Sequence, residues 1–358
     1  MKIRANRKEL ADALAWVGQA VPKRPTMPAL GGMKLAVTGD TLTVYGFDYE
    51  VGHLATLTVE GIADGACLVP ASFLTTFVSG LRGETAEMVL DNDELAISSG
   101  RSRYAARTLP LADYPKMPEQ APPVGTLDGQ LFAEAVVAVR RGASTDGMVP
   151  ILTALSITAD RDGLHLGATN RYIAIRANLD WSGDDFSALP IASALEAATK
   201  GLVGEVTIGV TTNLISLSST GRSVTLRMLE GVFPPIERYI DSVIAECDVE
   251  VNGSDLARAV ANVGKLAEIG DTVDLHISDG EIEVRTSTER GSGAEQVDCD
   301  SSSSGVKGFN PHYLASGLAA MPAGAVRIAV GGRGKPAVIR PVGSDDRAAL
   351  IMGKGDSR

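Results

Sequence analysis

Few side chains in this sequence could do covalent chemistry, and their spacing argues against it. Histidine, the usual general base and metal ligand, occurs only at His53, His165, His276 and His312. None stands in H-E-x-x-H or another metal-ligand spacing, so no metal site is expected. Cys67, Cys247 and Cys299 are odd in number, lie far apart and form no C-x-x-C pair. That pattern indicates neither a zinc centre nor a disulfide framework, and it suits a reducing compartment. No G-x-S-x-G elbow is present to activate a serine. The stretch "GGRGKPA" at 331–337 hints at a phosphate loop, but a Walker A motif needs G-x-x-x-x-G-K-[ST]. Here Ala329 holds the first glycine position and Pro336 the last. The acidic pairs in "GDD" at 183–185 and "SDD" at 344–346 fall in turn-like settings, where aspartate bonds its own backbone. "SSSS" at 301–304 reads as a solvated loop. No catalytic constellation and no cofactor site remain, so the expectation is a binding protein.

The totals set the frame for what positions such a protein's residues. A chain of 358 residues is long for one core and suggests two or three domains. Hydrophobic residues make up 44% and aromatics only 4%, so the cores must be built from Val, Leu, Ile and Ala. The formal charge of −11 opposes non-specific nucleic-acid binding, although a basic surface can sit within an acidic whole. "MKIRANRKEL" has no apolar run of a signal peptide. No stretch reaches the roughly eighteen apolar residues of a membrane span. A cytoplasmic protein without membrane contact is expected.

The elements recur three times. "NRKELADALAWVGQAV" places Leu10, Leu14, Val17 and Val21 on one helical face. "DGQLFAEAVVAVRRGAS" does so with Phe132, Val136 and Val139, and "NGSDLARAVANVGKLAE" with Leu256, Val260 and Val263, Ser254 being its expected N-cap. A second helix follows in each third, opened by Pro70, Pro190 and Pro311, since proline suits a first helical turn. Alternating runs around Asp- or Gly-bearing turns give hairpins in "MKLAVTGDTLTVYGFD", "LSITADRDGLHLGATN" and "VDLHISDGEIEVRTS". Further pairs follow each second helix. The order predicts an α+β fold of three tandem copies, over 1–122, 123–245 and 246–358, the first boundary lying in Pro-rich "PKMPEQAPPVG".

One phrase strengthens the repeat. "GRSRYAARTLPLADYP" at 100–115 returns as "GRSVTLRMLEGVFP" at 221–234, aligning Arg101 with Arg222, Arg107 with Arg227 and Leu109 with Leu229. It reads as the closing strand and exit of one copy, used again by the next.

The stretches "KRPTMPALGGMKLAV" at 23–37, "SGRSRYAARTLPLADYP" at 99–115, "GATNRYIAI" at 167–175, "LEGVFPPIERYI" at 229–240 and "GFNPHYLASGL" at 308–318 resemble the bacterial sliding clamp family, the β subunit of DNA polymerase III. The resemblance covers the whole chain. It implies the clamp fold three times per chain and a head-to-tail homodimer closed into a ring, with helices lining the hole and antiparallel sheets outside. It also implies no enzymatic activity. Double-stranded DNA would pass through the hole, while the replicative polymerase α subunit, the clamp loader and other partners would dock by short peptides, giving processivity in DNA replication.

Residue by residue, the resemblance and the basic side chains on or beside the expected inner helices point to Lys23, Arg24, Arg140, Arg141, Lys200 and Arg258 for DNA; α-helical spacing groups Arg258 with Asn262 and Lys265. Such contacts would go to phosphates and carry no sequence information. An apolar pocket for partner peptides would draw on Leu152, Thr169, Tyr172, Ile173, Pro234, Arg238, Tyr239, Asn310, Tyr313, Pro336 and Met352. The subunit contact would use Arg101, Arg103 and Tyr104 on one chain against Lys265 and Leu266 on the next. Two departures bear on the pocket. Asn170 stands for the family's aspartate and its usual arginine is missing before Ile173-Ala174; the chain also ends "MGKGDSR", with Gly353 in place of proline and no apolar residue after Met352. A looser, more hydrophilic rim and altered partner choice are expected from these, and a diverged paralogue serving chiefly as an interaction scaffold is the alternative.

Overall fold

The computed structural model describes residues 1–354 except Ile269 and Arg333. Residues 355–358 of the atypical terminus, and Arg333 within "GGRGKPA", therefore lie outside the described residues. Seven α-helices are present among these: α1 (Arg7–Val17), α2 (Ala71–Ser79), α3 (Gly129–Arg140), α4 (Ala192–Thr199), α5 (Ile236–Asp241), α6 (Gly253–Val263) and α7 (Pro311–Ala319). The order strand, helix, several strands, helix, three strands occurs three times, with α5 as an addition after the second round and the short strand Gly353–Lys354 after the third. In each round the opening strand pairs antiparallel with the first of the closing three. Lys2–Asn6 meets Thr85–Asp91, Pro123–Asp128 meets Glu205–Val210, and Cys247–Asn252 meets Ala325–Val330. All six expected hairpins form.

The helical stripes are the buried faces. Leu10, Leu14, Val17, Phe132, Val136, Val139, Leu256 and Val260 are fully buried and Val263 nearly so. Each such side chain contributes about 1.5–3 kcal/mol by leaving water. Val21 lies beyond the end of α1, after the 3-10 turn Gly18–Ala20, so the stripe stops at Val17. The caps differ from expectation. Asn252, not Ser254, caps α6, its Oδ1 accepting the backbone N–H of Ser254 and Asp255 at 3.0 and 3.1 Å. The same device recurs at Asn6 for α1, where Lys8 and Glu9 donate. Asp128 accepts from Gln130 at the start of α3. Each of these capping residues ends a strand, so one carboxamide or carboxylate both stops the ladder and satisfies orphan helix donors. Of the three prolines only Pro311 occupies a first helical turn; Pro70 is the N-cap of α2 and Pro190 precedes α4.

The chain divides into two compact units, Met1–Gln130 with Ala197–Met228, and Leu131–Glu196 with Leu229–Arg358, so the second round contributes to both. In the first unit, one antiparallel sheet runs Glu60–Ala63, Lys2–Asn6, Thr85–Asp91, Glu94–Ser99, Ser102–Arg107. Another runs Pro123–Asp128, Glu205–Val210, Leu214–Ser219, Arg222–Arg227, Val51–Thr58, Thr41–Phe47, Gly32–Thr38, Gly65–Pro70. Helices α1 and α2 pack on each other. In the second unit a thirteen-stranded sheet runs from Phe186–Ala188 to Gly353–Lys354, and α6 packs on α7.

Within each unit the rounds join by one kind of seam. Arg222–Arg227, closing the second round, pairs with Val51–Thr58 of the first, from Arg222↔Ala55 to Leu226↔Val51. Arg347–Ile351, closing the third, pairs with Ile173–Leu179 of the second, from Arg347↔Ala177 to Ile351↔Ile173. The repeated phrase thus does form closing strands, with one correction. The turns lie inside Ser99↔Ser102 and Ser219↔Arg222, so the ladder matches Arg222 to Ser102, while Arg101 sits in the turn. Gly100 and Gly221 hold left-handed φ of 59° and 70° in these two-residue turns, which is why glycine leads both phrases. In its seam Arg222 donates to the Gly201 carbonyl at 2.9 Å and lies 5.2 Å over the Trp16 ring.

Candidate functional site

A cavity of about 790 Å³ opens in the second unit. Its floor comes from the edge where Ile173–Leu179 meets Arg347–Ile351, and its wall from α5 and the residues that follow it. Of the residues expected to form a peptide pocket, Thr169, Ile173, Pro234, Tyr239, Pro336 and Met352 line this cavity. Arg171, Ile236, Val243, Ile244, Lys335 and Leu350 line it as well and were not foreseen. Strand alternation explains Leu350, which shares a face of Arg347–Ile351 with Ala348. Ala174, Ile236, Ile240, Val338, Ala348 and Leu350 form one buried cluster, against which Phe233 and Val243 pack. A cavity of this size with an apolar lining and a few charged groups at its margin suits an extended or turn-like peptide segment.

The remaining predicted pocket residues stand elsewhere. Leu152 is buried in the 3-10 turn Pro150–Thr153. Asn310 is the N-cap of α7, its Oδ1 accepting from His312 and Tyr313 at 2.9 and 3.4 Å, so its side chain is occupied. Arg238 is exposed on α5 and outside the lining. Tyr172 and Tyr313 stack on each other at 5.5 Å with an 8° tilt. Tyr172 is 57% exposed, which leaves an aromatic platform open to solvent beside the cavity.

The turn that carries Thr169 and Ile173 is tied by its own side chains. Thr169 Oγ1 donates to the Ile173 carbonyl at 2.8 Å and accepts from the Arg171 N–H at 3.1 Å. Asn170 Oδ1 accepts from the N–H groups of Tyr172 and Ile173, both at 3.0 Å. Asn170 therefore ties the turn with its side-chain oxygen, and Arg171, at φ 79°, lines the cavity. The rim beside Met352 is also firmer than expected. The Met352 N–H bonds the Tyr172 carbonyl at 2.9 Å, and Gly353–Lys354 pair as a short strand with Gly308 and Phe309. Lys354 Nζ donates to the Gly270 carbonyl.

Behind α5 lies a second cavity of about 720 Å³, more polar than the first, that shares Pro234 and Ile236 with it. Arg176 is the charged centre of its wall. Its Nη1 meets Glu237 Oε2 at 2.8 Å and Asp241 Oδ1 at 3.2 Å, and its Nη2 meets Asp345 Oδ2 at 2.9 Å. Burial alone would lower the Arg176 pKa, but the Glu237 hydrogen bond and the surrounding carboxylates outweigh it and the net shift is upward. His165 bridges Asn178 Oδ1 at 3.0 Å and Asp160 Oδ1 at 3.1 Å. Burial pulls its pKa down, yet those two bonds win and the net direction is up. Among the described residues, no group of three or more His, Cys, Asp or Glu stands together as a metal-ligand set.

The predicted basic residues divide by their partners. Lys23, Arg24 and Arg141 are exposed, and no ion pair engages them among the described residues. Arg140 instead pairs with Glu196 at 2.6 Å, and Arg258 with Asp255 at 3.1 Å. Those two charges are therefore partly spent locally. Lys265 falls in the 3-10 turn Gly264–Leu266, off the helical stripe, and donates to Asn262 at 3.0 Å. Lys200 is exposed. Among the predicted contact residues, Arg101, Arg103 and Tyr104 are exposed and Leu266 is half-buried. Ser102–Arg107 pairs on one side only, at the end of its sheet. Tyr104 extends an aromatic row, lying 4.6 Å from Phe77, which lies 5.0 Å from Phe73.

Comparison with known proteins is consistent along the chain. The profile of the DNA polymerase III beta subunit N-terminal domain matches residues 1–118, and that of its C-terminal domain residues 245–354. The beta sliding clamp of Streptomyces coelicolor is 30% identical over 353 residues, covering 95% of this chain and 93% of that one. The beta sliding clamp homolog GriR of Streptomyces muensis is 28% identical over 329 residues, covering 89% of this chain and 88% of that one. In fold, the chain superposes on the DNA polymerase beta subunit of Streptococcus pyogenes with a TM-score of 0.94 at 22% identity, covering 99% of this chain and 100% of that one. A Pseudomonas aeruginosa sliding clamp bound to griselimycin gives a TM-score of 0.93 at 22% identity, with 99% of each chain covered.

Proposed function

The chain belongs to the DNA polymerase III β-subunit family, the β sliding clamps, and on that premise we propose how its own residues close around duplex DNA and hold a polymerase there. It is a non-catalytic processivity factor. Two copies, each of three clamp domains, join head to tail into a ring through which double-stranded DNA slides, and partner peptides dock on the second unit's apolar cavity. Basic groups such as Lys23, Arg24, Arg141, Lys200 and Arg258 contact phosphates weakly, so the ring holds DNA by topology while salt-sensitive contacts let it move.

One observation carries the ring. The second round's closing strand pairs with the first round, and the third's pairs with the second. The first round's closing strand, Ser102–Arg107, lacks such a partner among the described residues. The strand that would receive it, Gly291–Ser301, pairs with Glu281–Thr288 on one edge and meets Cys247–Asn252 only from Cys299 onward on the other. Each chain therefore offers one donor edge and one acceptor edge, which a second copy satisfies. Open edges of this kind otherwise invite aggregation.

The ladders within the chain also support one register for that contact. Counted from the turn, Ser102 occupies the place of Arg222. Counted from the preceding hairpins, Glu295 occupies the place of Ala55, the partner of Arg222. The same count in the second round gives Ala177, which does face Arg347. The subunit seam then pairs Ser102 with Glu295, Arg103 with Ala294 and Tyr104 with Gly293. A Cβ at Gly293 would come within 2.9 Å of Leu266 Cδ1, so glycine there leaves room for Tyr104 beside Leu266.

The scaffold alternative rested on an atypical terminus; the pinning of Met352 through Lys354 gives the described part of that rim a fixed place and supports the clamp reading over it. The test is a Ser102→Cys, Glu295→Cys double variant in a Cys299→Ser background. Directly opposed strand residues lie within disulfide reach. Oxidation should give a covalent dimer that stays on nicked circular DNA at high salt and leaves when the circle is cut. Absence of the cross-link would overturn the register. A cross-linked ring that is shed from intact circles would overturn the clamp reading.

A further inference from the structure

Helix α5 is a single turn and a half, too short to hold itself by helix propensity. It forms a thin partition, with the apolar cavity on one side and the more polar cavity on the other. Only Ile236 and Ile240 root it in the core. It approaches the sheet so closely that a Cβ at Gly167 would stand 2.6 Å from Ile236 Cδ1. Apolar contact of that kind does not fix a helix along or about its axis. The ionic contacts do. Arg176, on the same strand face as the cavity residue Ala174, holds Glu237 and Asp241, one turn apart on α5, with a single Nη1. Its Nη2 holds Asp345, in the loop that leads into Arg347–Ile351. Arg340 completes the cage, with Nε at 2.9 Å from Asp345 and Nη2 at 3.5 Å from Asp241. The Arg176 side chain is only 8% exposed while its carboxylate partners are half open to solvent, so these contacts are screened more than fully buried pairs and less than fully exposed ones.

We propose that Arg176 is a positioning residue for partner binding: by clamping α5 to the sheet from behind, it sets the distance between the Ile236–Ile244 wall and the Ile173 and Leu350 floor of the apolar cavity. Arg176 touches no ligand in this scheme. It acts on affinity through the helix, and the inference rests on the cavity being the peptide site.

Two readouts separate the inference from that reading. The first is amide hydrogen exchange over 236–242, which reports α5 directly. The second is the affinity for a fluorescein-labelled peptide carrying the clamp-binding segment of the replicative polymerase α subunit. Arg176→Met keeps the length and removes the charge. It should raise α5 exchange and weaken the peptide by about tenfold, leaving exchange in α6 and the dimer unchanged. Arg176→Lys should fall between, because one ammonium cannot serve three carboxylates in a fork. Should Arg176→Met fail to fold, Asp241→Asn removes one α5 contact and should show the same two effects at smaller size. Unchanged α5 exchange would overturn the inference. Raised exchange with unchanged affinity would overturn the link from helix to binding. The cavity reading is checked separately by Ile173→Asp: binding that survives this variant would sink the pocket assignment whatever Arg176 does.

Discussion

His53 sets a measurable acid limit on the first unit. The ring is 1% exposed, stacks on Trp16 at 4.4 Å, and places Nδ1 3.0 Å from the Trp16 carbonyl. A carbonyl only accepts, so Nδ1 carries the proton of the neutral ring. Burial lowers the pKa from 6.5 to about 4, against smaller upward pulls from the Trp16 carbonyl and Asp48. Well above pH 6.5 the ring is neutral whether the chain is folded or not, and its titration contributes nothing to stability. Between there and about pH 4 the unfolded chain binds a proton that the folded one refuses, so stability falls as pH falls. At about 1.4 kcal/mol per pKa unit the full loss is about 3 kcal/mol. The assay is urea unfolding followed by Trp16 fluorescence in a Trp181→Phe background, at pH 7 and pH 4.5. His53→Gln should be less stable than the parent at pH 7, having lost the stack, and should lose about 2 kcal/mol less on acidification. Equal losses in parent and variant would refute the reasoning, because the proton would then be taken up elsewhere.

Other consequences follow from geometry already described. Leu266→Glu places a charge beside Gly293 in the proposed seam and should give monomers by sedimentation, whereas a dimer of parental strength would remove Leu266 from the contact. Tyr313→Ala deletes the stack under Tyr172 and should weaken the labelled polymerase peptide by about 1 kcal/mol with the dimer intact, as a fluorescence titration will show. A Cβ at Gly201 would lie 1.8 Å from Trp16 Nε1, so Gly201→Ala must displace the indole. It should cost about 1–3 kcal/mol in the same urea assay, as overpacking does.

The sequence carried the threefold order and the buried helical faces because both rest on local periodicity. Leu10, Leu14 and Val17 can be assigned without knowing any partner. Caps were harder. Asn252 and Asn6 end strands, and the pattern alone favoured the serine at 254 over the residue that bonds its N–H. The cavity was legible where a residue sits in a motif, as Thr169, Ile173 and Pro336 do. Val243, Ile244 and Lys335 sit in segments with no periodic signal, and Asn310 carries a motif but is consumed by a helix end. The Arg176 cage could not be read in advance, since its carboxylates lie 61, 65 and 169 residues along the chain. The seams within each unit escaped for the same reason: nothing local to a closing strand names the distant strand it will pair with.

The seams also bear on how the chain can be cut. Arg222–Arg227 completes a sheet begun by the first round, so a fragment ending near residue 122 would expose the edge of Val51–Thr58 in mid-sheet. What unfolds together is then a set of neighbouring strands and not a stretch of sequence, and cooperative melting should follow the seams across the repeat boundaries. Shortened versions meant to isolate one copy of the motif would carry raw β edges and tend to clump or swap strands, while a circular permutant that keeps each seam within one molecule should stay dispersed.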